Sequence, residues 1–275
     1  RAMGYLATYD AICPISEFSA HWLERYWGPQ LSRERVSILY PPVDVHLFSP
    51  REARRRVILG IGRFVKGGGH EKKQHLMIRA FKRLLRDGLT GWELHLVGGS
   101  MSEARHRAYL DECRRLAAGA PVVFHVDAPA AELTELVETA SIYWHATGYG
   151  TRDPILHEHF GISVVEAMSG GCVPIVVKQG AAAELVDDGE SGYLWQTMAE
   201  WRRRTLEVAN DDALRRRLAA RAVERSKRYG RDVFRRHLLE IVAGLSEPRG
   251  QTSSAASASA PAPVSAAPSL SDAGS

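Results

Sequence analysis

Apolar and polar positions alternate along this chain in two rhythms. "RVILGIG" (56–62), "WELHLVGG" (92–99), "PVVFHV" (121–126), "SIYWHAT" (141–147) and "CVPIVV" (172–177) are short apolar runs. Such runs predict buried strands. Between them lie stretches with helical spacing. In "KKQHLMIRAFKRLLRDG" (72–88), the pattern runs through Leu76, Ile78, Phe81 and Leu85 and stops at Gly88. Residues 102–118 and 130–140 also read as helices. "GISVVEAMSGG" (161–171) reads as a short helix ending at Gly170-Gly171, and 197–245 as a basic helical stretch. Strand and helix in alternation, with glycines at strand ends, predict an α/β domain on a parallel sheet. Such sheets bind ligands at the carboxyl ends of their strands.

Both ends of the chain depart from this rhythm. "DAICPIS" and "EFSAHWLERYWG" predict one strand and one helix, too little for a domain. They read as the end of a preceding domain, in a chain that starts at Arg1 rather than methionine. "ILYPPVDVHLF" (38–48) reads as a crossing, held extended by Pro41-Pro42. From about Gly250 large apolar residues almost vanish, which predicts a disordered Ala/Ser/Pro tail. The expected organisation is a remnant and crossing over 1–40, a ligand-binding domain over 41–246, and a tail over 247–275.

Composition narrows the function classes. A formal charge of +4 favours phosphates or an anionic membrane surface without the signature of a nucleic-acid binder. Clusters such as Arg202-Arg203-Arg204 and Arg215-Arg216-Arg217 read as solvated faces, with peripheral membrane contact left open. Cys13, Cys113 and Cys172 are too far apart for a metal site and odd in number, so a reducing cytoplasm is expected. No apolar run is long enough to span a bilayer.

Two segments carry candidate chemistry. In "GIGRFVKGGGHEKKQ" (60–74), Arg63 and Lys72 or Lys73 follow the first strand, and Gly67-Gly68-Gly69 permits close backbone approach. A diphosphate suits such a loop, as does plain solvation of its basic groups. A dinucleotide fingerprint fails, because Val65 stands where a third glycine is needed. In "HEHFGISVVEAMSGG" (157–171), Gly161 lies near a helix start, whose free N–H groups make an anion site. Glu158 precedes it in the loop, and Glu166 sits on the helix among apolar neighbours, without a basic residue nearby in sequence. An unpaired charge there is costly, so Glu166 needs a partner. His157 and His159 lack further ligands for a metal.

"EHFGISVVE" (158–166) resembles the signature of the retaining family 4 glycosyltransferases, two glutamates separated by seven residues, in enzymes with the GT-B fold. "YPPVDVHLF", "GIGRF" followed by "KKQHLMIRAF", "WELHLVGG", "VVFHVDAPAAELTELVETASIYWHATG" and "EAMSGGCVPIVVKQGAAAELVDDGESGYLW" resemble further family segments in the same order. The resemblance implies a GT-B-type Rossmann-like domain that binds a nucleotide-diphosphate sugar, without metal or other cofactor. By the same resemblance, Arg63 and Lys72 hold the diphosphate, with Lys73 as an alternative to Lys72. Glu158 contacts the transferred sugar. The backbone of Phe160, Gly161 and Ile162 approaches sugar and phosphate, and Glu166 accepts the ribose hydroxyls. The implied reaction is retaining transfer of a hexosyl group, such as mannosyl or glucosyl, to a glycan or lipid-linked glycan. A GT-B-fold nucleotide-sugar epimerase and a non-catalytic donor-binding remnant are the alternatives. Val126 and Ala181 stand where the family often has glycine.

Overall fold

In a computed structural model, the structure describes residues 6, 8–28, 31–67 and 71–246. The expected tail, and Gly68 and Gly69 of the glycine loop, lie outside them. The elements are α1 (Glu17–Trp27), β1 (Arg55–Ile61), α2 (Gln74–Arg86), β2 (Glu93–Gly98), α3 (Ala104–Ala117), β3 (Val122–Val126), α4 (Ala130–Thr139), β4 (Ala140–His145), α5 (Ile162–Ser169), β5 (Val173–Val177), β6 (Tyr193–Trp195), α6 (Met198–Asn210), α7 (Asp212–Ser226) and α8 (Arg231–Ser246). The strands form one sheet in the order β3-β2-β1-β4-β5-β6, every pair parallel.

Strand alternation divides the core into two layers. Ile58, Leu94, Leu96, Ile142, Trp144 and Ile175 face a cluster with α2, α3 and α6. Val57, Leu59, Val97, Tyr143 and Val176 face the other, with α4, α5 and α7. Burial on both faces explains why the strands read as continuous apolar runs. On α2 the buried stripe runs through Met77, Ile78, Phe81 and Leu84, while Leu76 and Leu85 flank it half-buried. Each fully buried side chain of this size contributes about 1.5–3 kcal/mol.

Arg54 fastens the underside of the sheet. Its guanidinium donates to the carbonyls of Glu138 at 2.6 Å, Gly170 at 2.8 Å and Ala140. These are the C-terminal ends of α4 and α5, where a cation offsets the helix dipoles and carbonyls lack intrahelical donors.

Two expectations need correction. "DAICPIS" is not a strand: Ile12 makes one parallel bridge to Val36, and Pro14, with no N–H, cannot extend the ladder. The basic stretch 197–245 is three helices. It breaks at Asp211, whose carboxylate caps the start of α7 by accepting from Leu214 N–H at 2.9 Å, and again before Gly230. α1 is docked through its N-terminus: the N–H groups of Glu17 and Phe18 donate to the Glu184 carboxylate at 2.9 and 2.6 Å. Among the described residues no helix is long and apolar enough to cross a membrane.

β1 is the pivot of the fold. The chain steps from β1 outward to β2 and β3, then returns to β4 on the other side and continues outward. The loops leaving β1 and β4 therefore diverge, and a crevice opens at their carboxyl ends. Both candidate segments meet there.

Candidate active site

The β1 end is shaped by close approach. At Gly62 an added Cβ would stand 2.3 Å from Cγ of Lys72, so only glycine lets the lysine stem cross the strand end. Gln74, at the start of α2, donates its amide to the carbonyls of Gly62 at 2.9 Å and Arg63 at 3.1 Å. The Tyr109 hydroxyl in turn donates to the Gln74 amide oxygen at 3.2 Å. The loop is thus anchored from α2 and α3. Arg63 is exposed beside Gly99, and among the described residues its guanidinium makes no hydrogen bond or ion pair.

Lys72 and Lys73 diverge. Lys73 takes a left-handed backbone conformation (φ 59°) as the N-cap of α2. That turn sends its ammonium to Glu71 at 2.8 Å. Lys72 instead reaches across the crevice and pairs with Glu158 Oε2 at 2.6 Å. The structure therefore brings Lys72 to the second segment and leaves Lys73 engaged locally.

Glu158 is the centre of this cluster, with its side chain 13% exposed. Besides Lys72, His145 at the end of β4 donates from Nε2 to the same oxygen at 3.4 Å. Burial alone would raise the pKa of this carboxyl. The imidazole hydrogen bond and the ammonium charge outweigh it and hold the group well below the usual carboxylate range. His145 is held low by burial, against the pull of Glu158. The Glu158 backbone is covered by the segment after β5: Ala181 N–H donates to its carbonyl at 2.8 Å. A Cβ on Gly180 would stand 2.5 Å from that oxygen, so glycine is required there.

α5 begins beside Glu158. Its N-cap, Gly161, has φ 105°, open to glycine and strained for other residues. Phe160 turns its ring into the core between Tyr40 and Tyr229, leaving its backbone at the helix mouth. Ile162, the first helical residue, is half-exposed. Glu166 lies just over one turn farther along, half-buried. Among the described residues no donor reaches its carboxylate, and burial alone raises its pKa. Tyr143, buried beneath, donates to or accepts from Ser163 at 2.9 Å and feels both carboxylates.

The two histidines beside Glu158 have structural partners. His157 Nε2 lies 3.1 Å from the Thr151 carbonyl, and His159 Nε2 lies 3.3 Å from that of Pro154. Both rings meet Phe18 of α1. Among the described residues no group of three or more His, Cys, Asp or Glu is placed to hold a metal ion. An apolar cavity of about 500 Å³ lies beside the cluster rather than in it, between α1 and residues 153–159.

Sequence reasoning missed His145, Gln74 and Gly180. His145 and Gln74 each act through a partner in another element, and no local pattern marks that. Gly180 had a readable signal in "QGAAAEL", a glycine closing the loop after a strand.

The sheet order defines a Rossmann-like α/β domain with a crevice at its topological switch point, where such sheets bind ligands. The chain belongs to the glycosyl transferases group 1 family, which it matches over residues 48–225. Solved structures share the GT-B arrangement. Sucrose-phosphate synthase from Thermosynechococcus elongatus is similar with a TM-score of 0.71 and 19% identity, over 89% of this chain and 60% of that one. Anabaena Alr3699/HepE, solved with UDP and glucose, has a TM-score of 0.67 and 20% identity, over 88% and 65%. At these identities the likeness shows the fold alone. Curated relatives named GDP-Man:Man(3)GlcNAc(2)-PP-Dol alpha-1,2-mannosyltransferase are 31% identical over 176 residues in Xenopus tropicalis and 28% over 241 residues in Caenorhabditis elegans. The matches take in 58% and 81% of this chain, and 34% and 49% of those relatives. The chain thus spans about a third to a half of the length of these proteins.

Proposed function

We propose that residues 41–246 form the donor-binding half of a retaining hexosyltransferase, and that the donor is a nucleotide-diphosphate sugar. The observation that carries this reading is the contrast at the mouth of α5. Glu158 is held by Lys72 at 2.6 Å, while half-buried Glu166 has no donor among the described residues. A nucleotide sugar supplies what each lacks. Its ribose hydroxyls donate to Glu166, its diphosphate draws Arg63 and Lys72, and its sugar hydroxyls take the place of Lys72 on Glu158.

In this reading the barrier falls by stabilising the departing diphosphate. Arg63 offers a planar fork, Lys72 a point charge, and the α5 N-terminus the N–H groups of Ile162 and Ser163. These charges leave no need for a metal at the diphosphate. Glu158 orients the sugar without attacking it, so attack from the leaving-group face preserves the anomeric configuration. The names of the relatives favour GDP-mannose as donor and a lipid-linked glycan as acceptor. An acceptor of that kind lies in a membrane, and in this reading the protein works peripherally at the cytoplasmic face. Residues 1–40 then belong with an acceptor-binding half.

Calorimetric titration with GDP, GDP-mannose, UDP and UDP-glucose tests this. Binding of GDP-mannose tighter than UDP-glucose supports the reading. No binding of any nucleotide overturns it. Isomerisation of the donor without acceptor would transfer the assignment to an epimerase.

A further inference from the structure

His145 is among the most buried polar residues, 2% exposed, and its Nδ1 has no hydrogen-bond partner among the described residues. The imidazole is not needed for the sheet: His145 is the last residue of β4 and takes part in the pairing with β5 through its backbone, opposite Val176. An apolar residue would fill that place without leaving a polar atom unpaired. The imidazole instead brings Nε2 to 3.4 Å from Glu158 Oε2.

The same oxygen accepts from Lys72 at 2.6 Å. That bond cannot persist if Lys72 moves to a diphosphate, as the proposed function requires. Glu158 then keeps one protein donor, the His145 Nε2–H. We propose that His145 is a positioning residue: it retains and orients the Glu158 carboxylate when Lys72 leaves for the donor's diphosphate. This rests on the reading of Glu158 as the sugar-contacting group.

The chemistry fits one tautomer. Donation to a carboxylate requires the proton on Nε2, which leaves Nδ1 as a bare acceptor. Burial and the nearby Lys72 charge keep the ring neutral, so the site does not gain a second cation. A 3.4 Å contact is longer than a fully formed hydrogen bond. It has room to tighten once the stronger Lys72 bond is gone. Among the described residues, the titratable groups acting on Glu158 are Lys72 from the loop before α2 and His145 from β4, and Tyr143 of β4 feels both Glu158 and Glu166 on α5.

Three variants test this. His145→Leu removes the donor. His145→Asn keeps polarity, but its shorter amide falls short of Glu158. His145→Gln places an amide N–H close to the position of Nε2. One readout needs no ligand: the Glu158 carboxyl titration, followed by carbon NMR. The other is the affinity for GDP-mannose against GDP. With leucine or asparagine, Glu158 should titrate at higher pH, because a donor to the charged form is gone. GDP-mannose should weaken at least tenfold and GDP less than twofold. Glutamine should return both readouts toward wild type. An unmoved titration in the leucine and asparagine variants overturns the proposal, as does equal weakening of both ligands or failure of glutamine to rescue. Unfolding of all three variants would make His145 a structural residue, which also overturns it. If the wild-type protein binds neither ligand, the donor-binding reading fails, while the Glu158 titration still judges His145.

Discussion

Replacing Glu166 with glutamine should stabilise the ligand-free protein and cripple its binding of nucleotide. The carboxylate is half-buried with no donor among the described residues, so the folded state holds a partly desolvated charge. Because it keeps some contact with water, the low end of the range for an unpaired polar group applies, roughly 1 kcal/mol. For a domain of this size that is a rise in Tm of about 2–4 °C. The pH dependence has a fixed sign. The folded pKa is raised, so the wild type gains stability as pH falls through that raised value and loses it as pH rises. The glutamine variant should lack this response, and the two unfolding curves should converge in acid. Binding should move the other way. Loss of a charge-assisted hydrogen bond to ribose should cost roughly 1.5–3 kcal/mol, or about ten- to 150-fold in Kd. GDP and GDP-mannose should suffer equally, because both carry the ribose. Thermal unfolding from pH 4 to 8 and calorimetric titration measure the two halves. A variant that is less stable than wild type and binds GDP normally would show that Glu166 has a structural partner and that the argument from its isolation is wrong.

Glu158→Gln should do the reverse on stability. Its folded pKa is depressed, so its contribution is present above the unfolded value and lost as pH falls through the folded one. The variant should melt lower than wild type at pH 7, spare GDP and weaken GDP-mannose. Gly62→Ala should displace the Lys72 stem, since the new Cβ would stand 2.3 Å from its Cγ. GDP affinity should fall toward that of Lys72→Met, and normal GDP binding in Gly62→Ala would show that Lys72 is not needed at the diphosphate. Arg54→Met should leave the C-terminal carbonyls of α4 and α5 without their donor and cost roughly 3 kcal/mol in urea unfolding. A change under about 1 kcal/mol would mean that those carbonyls find water.

Much of this arrangement is legible in the sequence, and the rest fails for identifiable reasons. Strands buried on both faces announce themselves as apolar runs, and β1, β2, β3, β4 and β5 are found within a residue or two. β6 is three residues long, too short for any period to register. "DAICPIS" has a strand's composition, but Pro14 accepts from Leu39 N–H and has no N–H to give back, so its pairing stops at the Ile12–Val36 bridge. The choice between Lys72 and Lys73 turns on one backbone conformation, the positive φ of Lys73, and adjacent identical side chains carry no trace of that. His145 is invisible for a different reason. It is a polar residue at the end of an apolar strand, and its partner stands thirteen positions later across a loop that doubles back.

The two glutamates of the signature are opposite solutions to one electrostatic problem. Glu158 lies at the mouth of α5 and Glu166 just over one turn along it, both are at least half-buried, and both are felt by the same buried Tyr143. Glu158 is over-supplied, with an ammonium and an imidazole converging on one oxygen. Glu166 is under-supplied, with no donor among the described residues. If the site served stability alone, Lys72 could be shared or the second carboxylate replaced by an apolar residue. The imbalance makes sense for a site that exchanges partners. In the proposed reading, ribose hydroxyls would relieve Glu166, and the energy gained there would help offset the loss of the Lys72–Glu158 pair. Lys72 would move to a diphosphate carrying more charge than the carboxylate it leaves. Glu158, freed on one side, would accept sugar hydroxyls while His145 holds the other. A free nucleotide diphosphate completes only the first two exchanges. The sugar is needed for the third, and this is why the two carboxylates should separate donor from nucleotide in a titration.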